Sequence, residues 1–264
     1  MSRKQHLRTF GSFHSIMDNI TMKLTTVLTA VNNNPKYTKF IPIFIHQWRR
    51  LFPELSIKII FIGAIPPEFE RFSDYLISFP EIPEVSTVYT AQTIRILYPA
   101  VLDKSETTII TDIDMLPGNR AYYTDKLAHI DDSKFVVMRP LSCVGPQEIA
   151  ICYNAARTST WSSVFGIKTV DDIRKFLIEN YTRVDGIHGG VGWNRDQLLV
   201  YSRVINQPNL ITDDTYHRRL DINHHKYDIH RFKTYLDTGS YSDAHMYADA
   251  CPWTPDQINW LLSS

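Results

Sequence analysis

Net charge is missing from this sequence: 28 lysines and arginines balance 28 aspartates and glutamates over 264 residues. A general polyanion binder needs a cationic surplus to replace counterions on a phosphate backbone, so a nucleic-acid partner is not expected. Cysteine is scarce. Cys143, Cys152 and Cys251 form an odd set with no C-x-x-C spacing, which argues against a disulfide framework or a structural zinc site and fits a reducing, cytoplasmic compartment. No apolar run reaches the roughly 18 residues of a membrane span. The N-terminal stretch MSRKQHLRTFGSFHS is basic but lacks an apolar signal core, so it reads as a short lead rather than a secretion signal. There is no repeat, low-complexity tract or linker, and no basic amphipathic helix that would point to a membrane acceptor.

What is present is an ordinary globular balance, 44% apolar and 21% charged residues, in a length suited to one large domain. The first half alternates regularly. Met22 to Val31 is β-branched and apolar and predicts a strand, closed by Asn32-Asn33-Asn34-Pro35. Tyr37 to Leu51 carries Phe40, Phe44, Trp48 and Leu51 at helical spacing, with Pro42 able to shift its start. Ser56 to Gly63 predicts a second buried strand and Pro66 to Phe79 a second helix opened by prolines. Glu84 to Thr90 reads as a short strand, and Ala91 to Leu102 as a helix that Pro99 kinks or ends. This β-α-β-α-β-α-β order predicts a mostly parallel central sheet with helices on both faces, the frame that commonly accommodates a nucleotide. The second half is less regular. A strand is expected over Lys134 to Met138, and helices over Val170 to Tyr181, Gln197 to Ile205 and Pro255 to Leu262. The intervening loop Val184 to Gly192 holds four glycines. Residues 1–264 are read as a single domain, with about 20–120 as a nucleotide-binding half and about 121–264 as a substrate half.

The stretch on which a chemical reading turns is Thr107 to Pro117, TTIITDIDMLP. A β-branched run ends in Asp112-Ile113-Asp114. In an extended chain residues i and i+2 share a face, so the two carboxylates are expected to project together with Ile113 turned to the core. Ligands of open α/β sheets bind at the carboxyl ends of the strands. Two hard oxygen donors there suit Mg²⁺ or Mn²⁺, held partly by protein and partly by a substrate diphosphate. The competing reading is a polar strand end closing into a turn.

Four features together resemble the retaining glycosyltransferases of the GT-A fold, a Rossmann-like α/β fold, in the LgtC- and glycogenin-like group (glycosyltransferase family 8). They are Arg95, 17 positions ahead of Asp112, the Asp-x-Asp itself, Asn154-Ala155-Ala156, and Asp196-Gln197. A fifth is His245 followed by Pro252-Trp253, which matches the spacing of a C-terminal motif of that family. Here Ala248 stands where the motif has Gly and Cys251 where it has Lys, so a cation is missing from its usual place.

The resemblance implies transfer of a sugar from a nucleotide sugar, with a UDP-sugar as the usual donor, to a hydroxyl of a glycan or other acceptor, with a Mn²⁺ or Mg²⁺ cofactor. It implies that Asp114 ligates the metal, that Asp112 ligates it or holds the ribose, and that His245 is a third ligand. His217, His224, His225 and His230 are the rivals of His245. The resemblance also implies that Thr29, Ala30, Val31 and Asn32 contact the base and ribose, and that Tyr37 stacks on the base. Arg95, Ile113, Asn154 and Ala155 complete the nucleotide-sugar site. Asp196 and Gln197 are the catalytic candidates, Gln197 beside the anomeric carbon. The glycine-rich loop is a candidate acceptor-side lid, and Trp161 and Trp193 are candidate sugar platforms.

Other classes compete. An inverting enzyme needs a carboxylate general base near the acceptor, and Asp185 and Asp196 are available. A nucleotidyltransferase usually carries a Gly-rich basic loop after its first strand, where this chain reads VNNNPKY. A phosphatase usually places its Asp-x-Asp near the first strand, not at position 112. A carbohydrate-binding protein without catalysis is the remaining alternative.

Overall fold

The computed structural model describes residues 21–140, 142, 145–187, 189–212, 219–221, 228–247 and 253–263. In chain order the elements are β1 (Thr26–Asn32), α1 (Pro35–Thr38), α2 (Ile41–Leu51), β2 (Ser56–Ile62), a 3-10 segment (Pro67–Tyr75), β3 (Leu76–Phe79), α3 (Thr87–Leu97), a second 3-10 segment (Tyr98–Val101), β4 (Thr107–Ile110), β5 (Met115–Pro117), α4 (Arg120–Leu127) and β6 (Phe135–Val137). They continue with β7 (Asn154–Arg157), α5 (Thr158–Phe165), α6 (Val170–Glu179), α7 (Arg195–Val204), β8 (Leu210–Thr212), β9 (Arg219–Asp221), α8 (Ile229–Thr238), β10 (Asp243–His245) and α9 (Pro255–Ser263).

Seven strands form the main sheet in the order β3-β2-β1-β4-β7-β6-β8. The four from the first half run parallel, β7 is antiparallel to β4 and β6, and β8 returns parallel to β6. A smaller sheet, β5-β10-β9, follows directly from the end of β4. Strand pleating divides the core into two layers. Val27 and Val31 of β1 face a layer built with α2, α8 and α9, centred on Phe40, Phe44, Trp48 and Phe232. Leu28 and Ala30 face the other, built with α3, α5, α6 and α7 around Ile94, Trp161, Ile173 and Val200. No helix among the described residues is long and apolar enough to cross a membrane.

The sequence expectations hold for the parallel order and for the breaks at Pro42 and Pro99: α2 starts at Ile41, and α3 gives way to a 3-10 turn at Tyr98. Two expectations fail for identifiable reasons. Glu84 to Thr90 is not a strand, because the Ser86 side chain accepts a hydrogen bond from Tyr89 N at 3.2 Å and starts α3 there. An N-cap of this kind outweighs the strand propensity of Val88 and Tyr89. Of the helix expected over Pro66 to Phe79, Pro67–Tyr75 is a 3-10 segment and the last four residues are instead β3, whose Leu76 to Phe79 pair with Ile59 to Ile62. Edge pairing to a hydrophobic strand is a tertiary effect that periodicity does not carry. The helix at Val170 has the predicted acidic first turn. Thr169 and Asp172 form a reciprocal capping box there.

Trp48 is fully buried between Phe44, Phe52 and Tyr123, with ring centroids at 6.1, 5.5 and 5.3 Å. Its indole N–H has no hydrogen-bond partner. Trp48→Ala is therefore expected to cost about 3–5 kcal/mol in a urea titration. Trp48→Phe is expected to cost much less, because it also removes an unsatisfied buried donor.

Candidate active site

The Asp pair lies just past the end of β4, not within the strand. Thr111 N still bonds Leu28 O at 3.1 Å, but Met115 N bonds Asp112 O at 3.1 Å, so residues 112–115 form a turn. Ile113 is buried in the core as expected. The two carboxylates take different partners, which corrects the expectation from an extended chain. Asp112 faces α3 and pairs with Arg95. Asp114 faces β10, where its Oδ2 lies 3.6 Å from His245 Nε2.

Arg95 is the hub on the α3 side. Its guanidinium pairs with Asp112 and donates to Asp196 Oδ2 at 2.5 Å. Burial acts to lower its pKa, but Asp112 and Asp196 overcome that and hold it firmly charged. Asp196, in the first turn of α7, is 1% exposed. Its Oδ1 accepts from Gln197 N at 2.8 Å and from Gln92 Nε2 at 3.3 Å. Burial pushes the Asp196 carboxyl up, against the opposing pull of Arg95. The favourable field of the helix N-terminus also supports the charge. Arg95 thus joins α3, the end of β4 and the start of α7 through one guanidinium.

Asn154 belongs to the same face. It pairs in register with Ile110, and its Nδ2 donates to Ala150 O at 2.8 Å and Ile151 O at 2.9 Å. The side chain is fully buried and its Oδ1 has no partner. Ala155 faces the opposite layer and is core. Thr29, Ala30 and Val31 are buried, so only their backbone can reach a ligand. Asn32 donates from Nδ2 to Thr87 Oγ1 at 3.2 Å, linking the end of β1 to α3. Tyr37 is half-buried against the core, and Gln197 is half-buried. Trp161 is not a sugar platform: it is fully buried, stacked on Phe165 and edge-on to Phe135. Trp193 is half-buried, its carbonyl held by Gln92 at 2.5 Å. Asp185 organises the glycine-rich loop, accepting from Ile187 N at 3.0 Å and Val191 N at 2.9 Å. Those backbone donors lower its pKa.

On the β10 side, antiparallel pairing sets His245 opposite Met115, and Met246 N bonds Asp114 O at 2.9 Å. The Tyr247 ring lies over the imidazole with centroids 3.8 Å apart, from a left-handed backbone position (φ 47°). Of the rival histidines, His230 is exposed on α8 and packs on Trp260. His217, His224 and His225, like Ala248, Cys251 and Pro252, lie outside the described residues, as does the N-terminal lead. Trp253 packs into the core against Phe232 at 4.6 Å.

The metal reading meets a mixed geometry. Asp114 Oδ2 and His245 Nε2 are separated by little more than the roughly 3 Å that neighbouring ligands span around a small divalent ion. Oxygen and imidazole donors together suit Mn²⁺. Asp112 commits one oxygen to Arg95. Among the described residues no group of three His, Cys, Asp or Glu side chains is arranged to hold a metal. The Asp114–His245 pair fits a cation only as part of a shell that a substrate completes.

A buried ion pair that sequence reasoning missed lies beside this site. Arg139, just past β6, and Asp243, the first residue of β10, are both fully inaccessible to water. Arg139 Nη1 donates to Asp243 Oδ2 at 2.8 Å, its Nη2 to Ser242 Oγ at 3.2 Å and its Nε to Tyr122 Oη at 3.1 Å. Tyr153 Oη donates to Asp243 Oδ2 at 3.3 Å. No local pattern marks Arg139 or Asp243, because their pairing spans 104 positions. A cavity of about 320 Å³ between Asp132, Arg157, Ser163 and Asn209 opens at the far end of β7 from Asn154 and holds none of the candidate residues.

The class that this fold defines is a doubly wound α/β sheet of the GT-A type. Over 90% of this chain and 95% of the other, it superposes on a crystal structure of an active-site mutant of LgtC with a TM-score of 0.51 at 11% identity. Two further solved structures match at TM-scores below 0.5. One is the apo form of the glycosyltransferase GlyE of Streptococcus pneumoniae TIGR4 (0.49; 14% identity; 92% of this chain and 61% of that one). The other is a glycosyltransferase involved in glycosylation of the major capsid of PBCV-1 (0.44; 9% identity; 92% and 100%). No protein-family model matches the chain, and no curated protein matches it in sequence.

Burial raises the Asp243 pKa, yet Arg139 and Arg219 together bring it below its ordinary 3.8. A carboxylate depressed in the folded state stabilises the fold above its unfolded pKa and loses that contribution as pH falls through the folded value. Asp243→Asn is expected to cost about 3–5 kcal/mol at neutral pH by leaving Arg139 buried without its counter-charge. The gap to the unsubstituted protein in urea titrations is expected to narrow as pH drops below 3.8.

Proposed function

We propose that this chain is a glycosyltransferase that moves a sugar from a nucleotide sugar, a UDP-sugar, to a hydroxyl of a glycan or other acceptor, with retention of configuration. The observation that carries the reading is the turn at Asp112-Ile113-Asp114. It stands at the carboxyl end of β4, joined by Arg95 to Asp196 and flanked by His245. The likeness to LgtC supports the frame in which that turn stands.

In this reading the ends of β1 and β4 receive the nucleotide. Backbone groups of Thr29 to Asn32 meet the base and ribose, with Tyr37 against the base. Asp112 offers Oδ2 to a ribose hydroxyl or a metal, while Arg95 fixes its orientation through Oδ1. Asp114 and His245 hold Mn²⁺ or Mg²⁺ together with the donor's diphosphate. When bound, such an ion acts as a Lewis acid on the leaving diphosphate. Asn154, whose Oδ1 is buried without a hydrogen-bond partner among the described residues, is assigned to a donor hydroxyl. Asp196, fixed between Arg95, Gln92 and the start of α7, places Gln197 at the reacting carbon.

The inverting alternative finds less support. Asp196 is nearly inaccessible and already bonded. Asp185 is spent on the backbone of its own loop, and its lowered pKa makes it a weak base.

Calorimetric titration of UDP with and without Mn²⁺ tests the reading. Binding is expected to be at least about tenfold tighter with the metal than without it. Asp114→Ala is expected to weaken the metal-dependent binding by at least about tenfold. Asp131→Ala removes only a turn carboxylate bonded to Ser133 and is expected to leave binding intact. Equal losses in both variants, or no binding of UDP or GDP to the unsubstituted protein, overturn the assignment.

A further inference from the structure

Two buried guanidiniums share one carboxylate beside the candidate metal pair. Arg139 takes both oxygens of Asp243. Arg219, on β9, is left with an ion-pair approach of Nε to Asp243 Oδ2 at 3.5 Å and one hydrogen bond, from Nη2 to Cys152 Sγ at 3.4 Å. A thiol is a weak acceptor. Burial pushes the Cys152 thiol up to about 11, so it is neutral and adds no counter-charge. Arg219 therefore offers five N–H donors, of which one is hydrogen-bonded among the described residues. Its Nε has no hydrogen-bond partner although it is buried. The side chain nonetheless keeps 22% of its surface exposed. A desolvated cation with spare donors is costly unless an anion completes it.

The strand register says where that anion lies. Arg219 is in register with Asp243 on the neighbouring strand. Asp243 and His245 are two positions apart on β10 and so share a face. Arg219 is thus on the His245 face of the small sheet, displaced by two residues along the strand, about 7 Å, and by one strand across, about 5 Å. A diphosphate whose one end meets the Asp114–His245 pair extends its other end toward this guanidinium. We propose that Arg219 forms an anion subsite on the small sheet and receives the phosphate oxygens of the leaving nucleoside diphosphate. The proposal deepens the glycosyltransferase reading and rests on it for the identity of the ligand, though not for the existence of the anion site. The planar fork of an arginine suits two phosphate oxygens at once.

Calorimetry on the full chain in EDTA, with inorganic pyrophosphate, UDP and uridine as probes, tests the subsite without the metal. Pyrophosphate and UDP are expected to bind the unsubstituted protein. Arg219→Gln is expected to weaken both by at least about tenfold, the worth of one charged hydrogen-bonded contact, and to leave uridine unchanged. Arg219→Lys, which retains charge without the fork, is expected to fall between. If thermal melting shows that Arg219→Gln does not fold, Arg219→Lys and a salt series on the unsubstituted protein decide. Affinity for pyrophosphate that falls with NaCl while uridine affinity does not supports the subsite. Flat salt dependence, or no pyrophosphate binding, overturns it. UDP binding equal in Arg219→Gln and the unsubstituted protein overturns the subsite and leaves the glycosyltransferase reading standing. Pyrophosphate binding through Arg219 without any nucleotide binding does the reverse.

Discussion

A guanidinium and a carboxylate removed from water must be satisfied by one another, and that requirement organises the site end of this protein. Arg139 leaves the main sheet just after β6, and Asp243 opens the central strand of the small sheet. Neither can be solvated, so each fixes the other's position. Ser242, Tyr122 and Tyr153 satisfy the remaining lone pairs and donors. The consequence is mechanical: β10 is held beside β5, and His245 comes alongside Asp114. The same pairing leaves Arg219 with a surplus charge on the face that His245 occupies.

A second charged hub works in the same manner on the other side of the Asp turn. Arg95 binds Asp112 and Asp196, and so ties the end of β4 to the start of α7. The sites at Asp112 and Asp114 are therefore supported by two different layers of helices and strands. Holding functional carboxylates through fixed partners on rigid elements limits the reorganisation a substrate must drive. It also explains why Asp112 and Asp114, adjacent but for one residue, need not point alike. The turn at 112–115 lets each meet its own partner, Arg95 for Asp112 and His245 for Asp114.

The candidate residues also differ in how they can act. Thr29, Ala30, Val31, Ile113 and Ala155 are buried, so their side chains shape the floor beneath the ends of the strands. Thr29, Asn154 and Arg219 share a further feature: each is mostly buried and yet has a polar side-chain atom without a hydrogen-bond partner among the described residues. Natural interiors pair such atoms, and where they do not, a ligand is a physically reasonable partner. Trp161, by contrast, has a full set of aromatic neighbours and an indole N–H 3.4 Å from Thr108 O, which is all that a core tryptophan requires.

Local sequence by itself determined the alternating strands and helices of the first half. Apolar β-branched runs at β1, β2 and β4 fit strands covered on both faces, as in a mostly parallel sheet, and the spacing of Phe40, Phe44 and Trp48 fits a helix. It also determined that Asp112 and Asp114 stand at a strand end and that Pro99 stops α3, since proline removes a donor whatever surrounds it. Only the tertiary structure decided that Leu76 to Phe79 form an edge strand, because β2 supplies the pairing. Only it brought Arg95 to Asp196, Arg139 to Asp243 and Arg219 to Cys152, pairs separated by 101, 104 and 67 positions. A charge carries no periodicity, so its partner is chosen by where the chain's return places an opposite charge, and by the cost of leaving either one alone in the core.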